Sequence, residues 1–140
     1  VLMAELGSPI KRGQVALVKR AEPTGQVTTL ISFTGDLSGT VLYSMPLATA
    51  VGIVSRMLGQ EFSDLDALGQ SGIAELGNVI TGSAMTLLAQ RGITCDIAPP
   101  VVAVSEKGSV FSTLDLPRLG IPLHTDVGII DLQLAFKERT

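Results

Sequence analysis

Ser63 to Gly92, SDLDALGQSGIAELGNVITGSAMTLLAQRG, is the one long stretch whose apolar spacing is helical throughout, and the rest of the chain is arranged around it. Turning successive residues by about 100° gathers Leu65, Leu68, Ile73, Leu76, Val79, Ile80 and Leu87 on one side, which predicts a core-facing stripe. Ser71, Glu75, Asn78 and Gly82 follow at steps of four, three and four, so a hydroxyl, a carboxylate and an amide share the flank of that stripe. Ser63 is the expected N-cap, ahead of Asp64 and Asp66, and Arg91-Gly92 the expected last turn and stop.

Upstream, Leu47, Val51, Val54 and Leu58 recur at helical spacing, with Pro46 tolerated at the start and Gly59 as the stop. Before that short helix lie three alternating runs, Gln14 to Arg20, Gln26 to Phe33 and Ser38 to Ser44. Turn signals at Glu22-Pro23-Thr24-Gly25 and Gly35-Asp36 separate them, which predicts an antiparallel meander. Val1 to Leu6 looks like the end of a helix closed by Gly7. Downstream, Asp96 to Val104 is β-branched around Pro99-Pro100, Val110 to Leu116 reads as a strand, and Pro117 to Pro122 as a stiff connection. Gly128 to Phe136 closes as a strand with Ile130, Leu132, Leu134 and Phe136 on one face and Asp131 and Gln133 on the other. The expected fold is α+β, an antiparallel β-sheet with two long helices packed against it.

A weak internal echo points to two related halves with a pseudo-two-fold duplication. Leu2-Met3-Ala4-Glu5-Leu6-Gly7 matches Leu87-Leu88-Ala89-Gln90-Arg91-Gly92 at Leu, Ala and Gly, and Asp36-Leu37-Ser38-Gly39 is distantly like Asp126-Val127-Gly128. The 140 residues are read as a single domain, 1–140, lacking the start of its N-terminal helix.

Composition removes several function classes. With 46% hydrophobic and 16% charged residues the chain is no disordered linker, and its mean hydropathy of +0.45 suggests an aliphatic core plus a subunit interface, hence a homodimer. No apolar run reaches bilayer-spanning length, so membrane insertion is not expected. A net charge of −3, with only the short pairs Lys11-Arg12 and Lys19-Arg20, argues against nucleic acid. A lone Cys95 and a lone His124 support neither a disulfide framework nor a metal site, and fit a reducing cytoplasm; Cys95 reads as a small core residue.

The phrase Ser71-x-x-x-Glu75-x-x-Asn78 lies on a Gly-rich helix. That helix comes after a shorter one ending Ser55-Arg56-Met57-Leu58-Gly59 and a strand pair turning at Gly35-Asp36-Leu37-Ser38-Gly39. Together these resemble the CheC, CheX and FliY family of chemotaxis phosphatases, and within it the CheX branch, over essentially the whole chain to about Lys137. The single Glu and Asn favour CheX over a two-site pattern. Pro100 arrives slightly early for the family's proline after the Asn, and Val101 takes that place. The resemblance implies a protein phosphatase acting on the aspartyl phosphate of a CheY-like response regulator, with Glu75 and Asn78 catalytic and Ser71 and Gly82 at the contact. It implies no metal or cofactor of the chain's own, the Mg²⁺ being the regulator's. The other readings are a catalytically silent adaptor or dimerisation domain of the same fold, and an unrelated α+β dimerisation module.

Overall fold

Residues 10–18, 25–104 and 118–138 are described by the structure, a computed structural model. In chain order they form strands β1 (Lys11–Arg12), β2 (Ala16–Val18), β3 (Val27–Gly35) and β4 (Leu37–Met45), and helices α1 (Leu47–Leu58) and α2 (Ala67–Ala89). Strands β5 (Cys95–Ile97), β6 (Val101–Val104), β7 (Arg118–Thr125) and β8 (Gly128–Glu138) complete the order. All pairings are antiparallel, and the sheet runs β1-β7-β8-β4-β3-β5, with β2 also on β7 and β6 also on β3. The fold is α+β, since the strands come in two runs on either side of two consecutive helices and pair antiparallel.

The sheet order reads the same from either end. A pair of short strands edges each side, β7-β8 mirrors β3-β4, and β8 meets β4 at the centre. The two hairpin turns fall at Asp36 and at Asp126-Val127, the positions of the second sequence echo. The first half of the other echo, residues 2–7, lies outside the described residues, as do most of the Glu22 to Gly25 turn and the Val110 to Leu116 strand.

Both helices contribute to one core. Ala50, Ile53 and Val54 of α1, Ile73 and Leu76 of α2, and Val27, Met45 and Ile130 of the sheet are buried together; Ile31, Phe33, Val41 and Tyr43 form a second cluster under the later turns of α2. At the exit of β3, Gly35 takes φ +147 and lies against the backbone of Thr94 and Cys95, where no side chain fits. Asp36 then clasps Thr94 twice, its N–H donating to the Thr94 carbonyl (3.0 Å) and its carboxylate accepting from the Thr94 N–H (2.9 Å).

Four expectations need correction. The N-cap of α2 is Asp66, not Ser63: Asp66 Oδ1 accepts from the Gly69 N–H at 2.8 Å, while Leu65 ahead of it is buried and Asp64 accepts from its N–H. Leu68, Val79 and Leu87 are not core residues but exposed, because the buried face of α2 is made by Gly69, Gly72, Ile73, Leu76, Gly77 and Thr81. The first strands do not form a meander with β3, since β2 pairs with β7 and the free edge of β3 is taken by β5 and β6.

Pro122, finally, is inside a strand. Its carbonyl accepts from the Gly13 N–H at 2.7 Å, so its absent N–H points to the same side, into the break between β1 and β2 where no ladder bond is lost. On β8 the predicted apolar face is covered only in part, Ile130 being buried, Leu132 and Leu134 half-buried and Phe136 exposed, while Gln133 and Ala135 opposite are buried. Among the described residues no helix is long and apolar enough to cross a membrane.

Candidate functional site

The Asp66 carboxylate opens α2, and two backbone bonds close it: Gly92 N–H to the Ala89 carbonyl and Ile93 N–H to the Leu88 carbonyl, both 3.0 Å, with Gly92 at φ +83. That pairing is a Schellman stop, so Gly92 ends the helix as expected even though regular geometry ceases at Ala89. Between these ends the structure brings Ser71, Glu75, Asn78 and Gly82 together on the outward face. Ser71 and Glu75 are exposed, and Asn78 and Gly82 half-buried. Glu75 and Asn78 are separated by about 4.5 Å along the axis, close enough to address one small group. Among the described residues neither side chain has a hydrogen-bond partner.

Behind this face the helix lies unusually close to its supports. A Cβ at Gly77 would stand 3.3 Å from Ile31 Cδ1 and Thr29 Cγ2, and one at Gly72 3.2 Å from Val54 Cγ1. Thr81 Oγ1 donates to the Gly77 carbonyl at 2.8 Å, which leaves it to accept from the Tyr43 hydroxyl, also at 2.8 Å. This relay ties the turn bearing Asn78 to β4. Burial pushes the Tyr43 phenol above its ordinary value, the Thr81 hydrogen bond opposing that, so it remains a protonated donor near neutrality. Sequence reasoning missed Tyr43 and Thr81; the available signal was Thr81 at four residues from Gly77 on the buried side.

Gly82 differs from these glycines, since a Cβ there would meet nothing within 4 Å. Internal packing therefore does not account for a glycine that costs a helix interior about 1 kcal/mol relative to alanine.

The stripe lies on the outward side of α2. An apolar groove of about 340 Å³ lies elsewhere, lined by Phe33, Tyr43, Met85, Leu88, Leu134 and Phe136 among others, and Ser71, Glu75, Asn78 and Gly82 do not border it. No group of His, Cys, Asp and Glu among the described residues has the arrangement of a metal site. Cys95 is half-buried in β5, its thiol directed at the Leu37 carbonyl at 3.5 Å, and His124 sits on β7 opposite Lys11. The face offers one carboxylate acceptor and one carboxamide that both donates and accepts, held on the outward side of a closely packed helix. Such a face can act on a group that another macromolecule brings to it; it encloses no small substrate of its own.

Comparison with known proteins gives one consistent neighbourhood. The family model described as chemotaxis phosphatase CheX matches residues 27–124. The chain is 33% identical over 133 residues to the CheY-P phosphatase CheX of Thermotoga maritima, covering 94% of this chain and 85% of that one. It superposes on the chemotaxis protein CheX from Vibrio vulnificus with a TM-score of 0.84 and 26% identity, covering 97% of this chain and 91% of that one. The CheX–CheY–BeF₃–Mg²⁺ complex from Borrelia burgdorferi gives 0.81 and 25%, with 98% and 90% covered.

Proposed function

The chain belongs to the CheX family of chemotaxis phosphatases, and from that premise we propose that it hydrolyses the aspartyl phosphate of a CheY-type response regulator. The observation that carries the reading is the Glu75 and Asn78 pair, without a hydrogen-bond partner among the described residues, on the outward side of a closely packed helix. A relative of the same fold has been crystallised with CheY, BeF₃ and Mg²⁺. The Thermotoga maritima relative is described as a CheY-P phosphatase.

On this reading the regulator supplies the phosphorylated aspartate and its Mg²⁺, and the chain supplies position. The Asn78 carboxamide holds a water in line with the acyl phosphate. The water oxygen bonds to phosphorus, the bond from phosphorus to the aspartyl oxygen breaks, the carboxylate leaves, and inorganic phosphate departs with the water's protons. Because an acyl phosphate is already reactive, one oriented hydrogen-bonding group supplies a large share of a moderate acceleration. Glu75, one turn back, pairs with a lysine of the regulator and sets the register. Ser71 sits at the edge of the contact, and the bare backbone at Gly82 lets the regulator's surface approach Asn78.

The test is release of inorganic phosphate from a purified, phosphorylated CheY-type receiver, with and without the chain. Acceleration abolished in Asn78→Ala supports the reading; no acceleration by the wild-type chain refutes it and leaves the silent adaptor of the same fold. We also propose a homodimer, with exposed Leu17 on β2 and Val101 on β6 at the two sheet edges as candidate contacts. Light scattering at micromolar concentration checks this, and a mass near 14.6 kDa counts against it.

A further inference from the structure

Phosphatase chemistry at α2 draws only on its polar residues, yet the same outward face also carries apolar side chains. Leu68 and Val79 are 52% and 40% exposed, and the helical turn places both within about 40° of Glu75. Where this outward face borders the buried one at Gly72, Leu58 from the end of α1 lies alongside, its Cδ1 3.9 Å from where a Gly72 Cβ would stand; Leu58 is itself 38% exposed. Singly, exposed aliphatic side chains mean little. Here three from two helices flank the helix face that carries a carboxylate and an amide with no partner among the described residues.

Resting on the phosphatase reading, we infer that Leu58, Leu68 and Val79 are a docking rim for the phosphorylated receiver, and that they set its affinity rather than the rate of the chemical step. The physical case is that a helix ridge cannot exclude water by itself. Glu75 is exposed, so an ion pair to a regulator lysine is worth little unless bulk water is displaced around it. Apolar side chains beside it, pressed against the receiver, displace that water, while the bare backbone at Gly82 lets the receiver come close to Asn78. Interfaces commonly have this anatomy, a few polar residues at the centre and packed apolar contacts that keep solvent out. The rim is continuous with the face that the phosphatase reading assigns to the receiver. An equally large aliphatic residue on the same helix, Leu87, is 62% exposed but lies about 120° around from Glu75 and outside the rim.

The experiment compares wild type, the double variant Leu68→Gln with Val79→Gln, and Leu87→Gln, all full-length. Glutamine keeps helix propensity and all three sites are exposed, so circular dichroism melts should coincide. Two readouts are taken: the Kd of the Mg²⁺–beryllofluoride-loaded CheY-type receiver by titration, and KM and kcat for phosphate release from the phosphorylated receiver. The double variant should raise Kd and KM by about tenfold or more with kcat within about twofold, and Leu87→Gln should change neither. Unchanged Kd and KM in the double variant, with wild type active, overturn the rim and leave the phosphatase reading standing. A loaded receiver that binds wild type, loses affinity in the double variant, yet is not dephosphorylated upholds the rim and refutes the phosphatase. No binding to wild type overturns both.

Discussion

Helix α2 has two faces that are rich in small residues for opposite reasons. Inward, Gly72 and Gly77 stand where a methyl group would already crowd Val54, Ile31 and Thr29, so glycine there brings the helix down onto α1 and the sheet. Outward, Gly82 stands beside Asn78 with no neighbour among the described residues to make room for. The same residue type at the same helical cost thus answers to the protein's interior on one side and, on the proposed reading, to a partner on the other. A glycine is informative only once its surroundings are known.

The largest effect should come from the outward face. Asn78→Ala should cut regulator dephosphorylation by a factor on the order of 10²–10³, with the melting temperature unchanged, because it removes the group proposed to orient the water without opening the core. Phosphate release and a thermal melt on that variant check both halves. One substitution made twice then sets the two faces directly against each other. Gly77→Leu should lower stability by about 1–3 kcal/mol through overpacking, whereas Gly82→Leu should keep or raise it while weakening regulator binding and turnover. Melting curves that fell equally for the two variants would break the distinction.

Glu75→Ala should raise KM for the phosphorylated regulator by about tenfold at low salt and make it less sensitive to ionic strength, since it removes a screened ion pair and no packing. A titration in increasing salt reads this out. Smallest is Tyr43→Phe, which takes the donor from Thr81 behind the site and should cost about 0.5–1.5 kcal/mol of stability with a slight loss of kcat. A kcat as low as that of Asn78→Ala would mean that the buried relay does more than hold the turn.

The outward face is legible in the amino-acid sequence and the inward one largely is not. Ser71, Glu75, Asn78 and Gly82 fall together by the helical repeat alone, which needs no tertiary information. Leu68, Val79 and Leu87 mislead the same reasoning, because a count of apolar positions registers what a side chain is and not what covers it. The buried face of Gly69, Gly72, Gly77 and Thr81 has too little side chain to register as apolar. The hairpin of β3 and β4 is readable from Gly35-Asp36, a local turn. The pairing of β2 with β7 is not, since it joins Leu17 to Leu119 across most of the chain. Pro122 reads as a connector until the break between β1 and β2 gives its missing N–H somewhere to point.

The pairing of β4 with β8 at the centre of the sheet sets the order of events when the chain folds. Their partnered residues run from Ser44↔Asp131 to Leu37↔Glu138, separations of 87 to 101 residues. Contacts that distant close slowly, because the intervening chain must give up its freedom before any of them is rewarded. During synthesis β3, β4, α1 and α2 emerge well before the strand that fills the middle of the sheet. The sheet beneath Glu75 and Asn78 is therefore complete only once β8 is made, and a chain interrupted before Gly128 carries those two residues over β3 and β4 without the central partner of β4.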